Sequence, residues 1–137
     1  MITQIIYLPT YDWTVIVFYC QKNCDCDVIL NTLNSIDCSS EILNNVQELL
    51  TEHIYNQGFT FTNTDYNTSI IGICPSDSAQ EFQNTLDHEK SHVVTHIANN
   101  YLIDSMSEEF QYLAGDLGEK LFDIAQHFLC DTCLYDN

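Results

Sequence analysis

The sequence predicts an α+β fold, in which a small mixed sheet of about four strands packs with three to four helices. Short runs of β-branched and aromatic residues, typical of strands, occupy much of the first half, and longer segments with helical apolar spacing dominate the second half. With 137 residues and a hydrophobic fraction of 45%, the chain can form one domain with its own core. We expect that domain to span 1–137, with strands and a supporting helix in 2–75, the helices of the candidate site in 76–129 and a tail in 130–137.

The first elements are predicted to be a hairpin followed by two helices. Residues 2–8 and 13–19 are β-rich and enclose a turn with Pro9, so they form the hairpin. Apolar residues at helical spacing indicate a short helix over 28–36 and a second helix after it. Ser39 or Ser40 can cap the second helix, which we expect to end near Gly58.

Two further strands and the central helix come next. Residues 59–62 and 68–73 are predicted strands around a polar turn, and Pro75 ends the second strand because it lacks an amide donor. Ser78 and Glu81 form a capping-box pattern at the start of a long helix. Its apolar stripe consists of Phe82, Leu86, Val93 and Ile97.

The last predicted helix begins near residues 105–107 and has a continuous apolar face. Gly115 and Gly118 are costly inside a helix, by about 1 kcal/mol each relative to Ala. We therefore expect them to permit close packing against the preceding helix. The tail from Cys130 is expected to fray.

The long central helix contains His88-Glu89-Lys90-Ser91-His92, an H-E-x-x-H pattern. Histidines four residues apart project from one side of a helix and can bind one tetrahedral Zn²⁺. Glu89 is turned by roughly 100° from His88, so it can act as the general base that activates a zinc-bound water. An i,i+4 polar pair that binds no metal is the alternative. The pair lies roughly 80–120° from the apolar stripe, which places it beside a cleft.

A catalytic zinc usually has a third protein ligand. Glu109 is predicted to supply it, because it lies beside the apolar face of the last helix, roughly 100° around the helix axis from the centre of that face. We call such a flanking position a shoulder of the helix. Glu108 is the alternative, but the Ser105 capping box would occupy it. Asp116 and Glu119 are less favoured candidates for the third ligand. His96 is expected to be a solvated or supporting group, and Tyr112 either donates a hydrogen bond to an oxyanion or is a packing residue.

The net charge is −17, and Lys22, Lys90 and Lys120 are the only basic residues. This balance disfavours nucleic acids and anionic membranes as partners, since little positive charge is present to neutralise phosphates. It leaves open an acidic protein that imitates DNA and binds a basic partner. With neither a secretion signal nor a long apolar run in the sequence, the expected location is the cytoplasm.

Seven cysteines are then expected to be mostly free thiols. The C-x-x-C pair Cys130 and Cys133 could instead join Cys20, Cys24 and Cys26 in a structural zinc or redox site.

Residues 86–92, followed by Ser107-Glu108-Glu109 and Tyr112-Leu113-x-Gly115, resemble minimal gluzincin-type zincin metallopeptidase domains. These are small HExxH proteins of bacteriophages and related mobile elements, and the resemblance spans roughly residues 69–122. It implies a zincin-like fold, a protein or peptide substrate and, for a phage-encoded chain, a host-cell cytoplasmic location. It assigns the edge strand before the motif helix to 70–73, the zinc ligands to His88, His92 and Glu109, and the base to Glu89. Lys90 and Ser91 stand where many such peptidases have apolar residues, which implies an open site of low activity.

The sequence therefore predicts a zinc-dependent metallohydrolase, most simply a peptidase, with Glu89 as the catalytic residue. A catalytically inactive zincin-like binding protein and an acidic, DNA-mimic-like binder of a basic partner are the alternatives. The sequence does not predict an oligomeric state.

Overall fold

The computed structural model describes residues 1–130, which form a four-stranded mixed sheet. The strands are β1 (Ile2–Leu8), β2 (Trp13–Tyr19), β3 (Gly58–Asn63) and β4 (Thr68–Ile73). Their order across the sheet is β1-β2-β4-β3. The β1–β2 and β3–β4 pairs are antiparallel, and the central β2–β4 pair is parallel. The predicted hairpin and the predicted mixed sheet are confirmed.

The helices are α1 (Cys26–Ser35), α2 (Ser40–Thr51), α3 (Ala79–Tyr101) and α4 (Glu108–Ala125), with short 3-10 turns at Thr64–Tyr66 and Gln126–Phe128. Each α-helix begins after a polar cap whose side chain accepts a hydrogen bond from the amide three residues further on. The caps are Asp25, Ser39, Ser78 and Ser107. The α+β class is therefore confirmed. Within residues 1–130, no helix combines the length and apolar character needed to cross a membrane.

The two faces of the sheet carry different apolar clusters, because successive side chains of a strand point to opposite faces. Trp13, Val15 and Val17 of β2 pack with α3 and α4. Phe18 and Ile70 pack with α1 and α2 on the other face. The predicted stripes of α3 and α4 are buried in the first cluster, so both helices lie against the same face of the sheet.

Gly58 was expected to stop the second helix, and that prediction is wrong. The helix α2 ends at Thr51, and Gly58 is the first residue of β3. A Cβ atom at Gly58 would lie 2.6 Å from the carbonyl oxygen of Gly72 and 3.0 Å from Cγ of Glu89. The glycine is needed because β3 passes close to both its neighbouring strand and α3.

The helix α4 begins close to the predicted position, but its cap and one of its glycines differ from the prediction. Ser107 caps the helix, so Ser105 does not form the expected capping box. A Cβ at Gly118 would meet the side chain of Lys90 on α3 at 3.3 Å, whereas one at Gly115 would meet nothing within 4 Å. Close packing therefore explains Gly118 and does not explain Gly115.

The edge strand beside the motif helix is β3, whereas the resemblance assigned this position to residues 70–73. Those residues belong to β4, which lies between β2 and β3 in the sheet. The assignment took the strand nearest to the helix in sequence. The actual strand order depends on the parallel β2–β4 pair, which joins segments far apart in the chain.

Candidate metal centre

His88 and His92 lie one turn apart on α3, and both side chains are exposed. Their Nε2 atoms are 3.2 Å apart, and their rings are nearly perpendicular, at 85°. Two nitrogens bound at about 2.0–2.1 Å to one tetrahedral zinc stand roughly 3.3 Å apart. This separation is compatible with two ligands of one metal ion.

Glu89 is buried beside the two histidines, with 5% of its surface exposed. The Thr60 hydroxyl on β3 donates a hydrogen bond to Glu89 Oε1 at 3.0 Å. One ligand atom from each of His88, Glu89 and His92 lies within 4.8 Å of the others. These three residues form a group that can hold a metal ion.

A cavity of about 290 Å³ adjoins this group. It opens between the segment that leads into β3 and the N-terminal half of α3. The lining residues are Asn56, Gln57, Gly58, Asn84, Thr85, His88 and Glu89.

Glu109 is not brought to the histidines. Its Oε1 accepts a hydrogen bond from the Tyr11 hydroxyl at 3.2 Å. The Tyr11 ring packs against Tyr101, the last residue of α3, with ring centroids 5.3 Å apart. His92 lies nine residues earlier, about two and a half helical turns away. Of the expected site residues, the structure thus brings together His88, Glu89 and His92.

The direction from which α4 approaches α3 explains this separation. Lys90 of α3 faces Gly118 of α4. Lys90 is two positions from both His88 and His92, which places it roughly 160° around the helix from each. The packed helix therefore contacts nearly the opposite side of α3. Tyr112, for which an oxyanion or a packing role was considered, also lies on α4 and is 74% exposed.

The remaining acidic alternatives have other environments. Asp116 forms an ion pair with Lys120, one turn further along α4, at 2.7 Å. Glu108 is the first residue of α4, and Glu119 lies on the same helix. None of these carboxylates belongs to the three-residue group.

His96 continues the histidine column by one turn, and its ring centroid lies 6.2 Å from that of His92. Its Nδ1 is 2.7 Å from the Thr62 hydroxyl on β3. Burial lowers the pKa of His96, and the neighbouring His92 lowers it further. Its place in hydrogen-bonding contact with the strand beneath agrees with a supporting role.

Thr60 and Thr62 are site residues that the sequence reasoning missed. The signal was present in Phe59-Thr60-Phe61-Thr62, where apolar and polar residues alternate. Phe59 and Phe61 pack into the cluster beneath α1 and α2, so the two threonines face α3. The strand itself was predicted, but the helix that covers its threonine face depends on the tertiary structure.

Replacing Thr60 with valine should lower the free energy of unfolding by about 1–3 kcal/mol, because the buried Glu89 carboxylate would lose its hydrogen-bond donor. Urea denaturation of the two proteins would measure the difference. Thr3→Val, on the exposed face of β1, makes the same chemical change away from Glu89 and should be nearly neutral. Equal stabilities of Thr60→Val and wild type would show that this hydrogen bond contributes little.

No known protein-family profile matches the chain, and no curated protein or solved structure is significantly similar to it. The class is therefore defined by fold and site alone. This is an α+β protein with a mixed four-stranded sheet and a His-Glu-x-x-His group that can hold a metal ion.

Proposed function

We propose that the protein is a zinc-dependent hydrolase and, more narrowly, a peptidase, with Glu89 as its general base. The observation that carries the proposal is the pair of Nε2 atoms, 3.2 Å apart on His88 and His92, with the Glu89 carboxylate beside them. Two histidines at this spacing suit zinc, and a carboxylate adjacent to them suits proton transfer.

Each residue has a distinct role in this proposal. His88 and His92 would hold the zinc ion through their Nε2 atoms. The bound ion would supply Lewis-acid chemistry at the site. Glu89 would take the proton from the attacking water, and the hydrogen bond from the Thr60 hydroxyl would hold Oε1 of the carboxylate in place. The adjoining cavity receives the substrate segment.

Glu109 is left out of the proposed ligand set, because its carboxylate accepts a hydrogen bond from Tyr11, which lies at the C-terminal end of α3. Two histidines leave more than one coordination position for water and substrate. This arrangement favours an open site with weaker metal affinity than a three-ligand centre.

A catalytically inactive metal-binding protein is the second candidate. It is favoured by the proximity of Glu89 itself, since three ligand atoms within 4.8 Å could all bind the same ion. Glu89 would then be a ligand, and the site would hold the metal without a free base. The two candidates therefore differ in the role of one carboxylate.

The metal site is tested by zinc binding to purified protein, measured by calorimetry and by elemental analysis. We expect one zinc per wild-type chain. His88→Ala should weaken binding by at least about 100-fold, because even the loss of residues that only support ligands can cost 10–100-fold.

His53→Asn is the matched control, since asparagine tolerates the left-handed backbone at this position, where φ is 52°. It should bind zinc like the wild type. A wild-type protein without affinity for zinc, or a His88→Ala variant with unchanged affinity, would rule out both metal-dependent candidates.

A further inference from the structure

A pair of thiols lies in the segment between β2 and α1. The Cys20 thiol donates a hydrogen bond to Cys24 Sγ, with the two sulfur atoms 3.0 Å apart. Cys20 is buried, at 1% exposure, whereas Cys24 is exposed to solvent. The pair thus combines one accessible sulfur with a second, protected sulfur in direct contact.

The environment gives the two thiols opposite tendencies to ionise. The hydrogen bond from Cys20 lowers the pKa of Cys24, whereas this bond and burial raise the pKa of Cys20. Cys24 also directly precedes Asp25, the cap of α1, so it lies near the N-terminus of this helix. The partial positive charge of a helix N-terminus favours a thiolate. Cys24 is also the exposed sulfur and the hydrogen-bond acceptor of the pair, so it is the better placed nucleophile.

The charge and size of an oxidant decide whether it can reach Cys24. Cys24 opens into a groove lined by Met1, Asp25 and Asp27, where the N-terminal ammonium lowers the pKa of Cys24 and Asp25 raises it. The chain as a whole carries a net charge of −17, which disfavours the approach of anionic disulfides. An uncharged peroxide is small enough to reach the exposed sulfur.

We propose that Cys24 and Cys20 form a peroxide-reactive dithiol that closes to an intramolecular disulfide. The Cys24 thiolate attacks one oxygen of hydrogen peroxide, the O–O bond breaks, and the leaving hydroxide takes a proton to form water. The resulting sulfenic acid is attacked by Cys20, whose thiol proton leaves with the displaced hydroxyl as a second water. In balance, two thiols and one peroxide give one disulfide and two waters.

The reaction can be followed in the full-length protein by treatment with hydrogen peroxide in the presence of a chelator, alkylation and trypsin digestion. Cleavage after Lys22 separates Cys20, the only cysteine of residues 1–22, from Cys24 in residues 23–90. Oxidation should link these two peptides, with a mass about 2 Da below their sum. Dithiothreitol should reverse the link.

Variants identify the sulfur that reacts. Cys24→Ser changes an exposed side chain and should abolish the link, whereas Cys26→Ser, two residues away, should retain it. Cys20→Ser should leave a sulfenic acid on Cys24 that dimedone traps. The proposal is overturned if peptide 1–22 stays unlinked after peroxide treatment, or if the link persists in Cys24→Ser.

Discussion

Replacing Glu89 with glutamine is expected to lower kcat by about 10²–10⁴-fold, the usual contribution of a general base. Glutamine is close to glutamate in size but cannot take a proton from water. Its side-chain oxygen can still accept the Thr60 hydrogen bond, so the free energy of unfolding should not fall. Turnover of an unstructured protein substrate, followed by mass spectrometry of its fragments, measures the loss of activity.

Zinc content of the same variant separates the two candidate functions. If Glu89 is the base, Glu89→Gln retains the metal and loses cleavage. If Glu89 is a ligand, the variant loses metal affinity. Glu108→Gln, on the neighbouring helix α4, is the matched control and should alter neither property. A wild-type protein that binds zinc but cleaves no substrate would contradict the hydrolase proposal and would agree with the second candidate, an inactive metal-binding protein.

Replacing Gly72 with alanine should produce a large loss of stability, of about 3 kcal/mol. Gly72 lies on the interior strand β4 and pairs with Phe59 on β3. A Cβ atom at this position would lie 2.1 Å from Cε1 of the Phe59 ring. The Phe59 ring would have to move away from position 72. The strand β3, which also carries Thr60, would have to shift with it. Urea denaturation measures the change in the free energy of unfolding.

Gly115→Ala is a matched control of opposite sign. Its Cβ would meet nothing within 4 Å, and Gly115 lies inside α4, where alanine is favoured over glycine by about 1 kcal/mol. This variant should therefore be slightly more stable than the wild type. A Gly72→Ala protein as stable as wild type would show that the Phe59 ring can move at little cost.

The local elements could be predicted because their signals lie in neighbouring residues. The alternating runs of β1 and β2, the serine cap of α3 and its apolar stripe all act within a few positions of one another. The same holds for His88 and His92, since a four-residue spacing on any regular helix brings two imidazoles together. These features required only that the helix form.

The position of Glu109 in the fold could not be predicted in this way. Glu109 was favoured as a ligand because its angle from the apolar stripe of its own helix matches that of His88 and His92 from theirs. A helix has two shoulders beside its stripe, and an angle alone does not say which neighbour covers which shoulder. In the structure β3 lies beside the Glu89 side of α3, and α4 lies beside Lys90.

The sequence by itself determined the strands, the helices, two of the four helix caps and the pair of histidines, because these depend on short-range periodicity and hydrogen bonding. Only the tertiary structure decided the order of the strands, the close approach of β3 at Gly58, the bond between Thr60 and Glu89, and the distance of Glu109 from the site. These depend on contacts between residues far apart in the chain. Such contacts arise from the packing of whole elements, which no local pattern encodes.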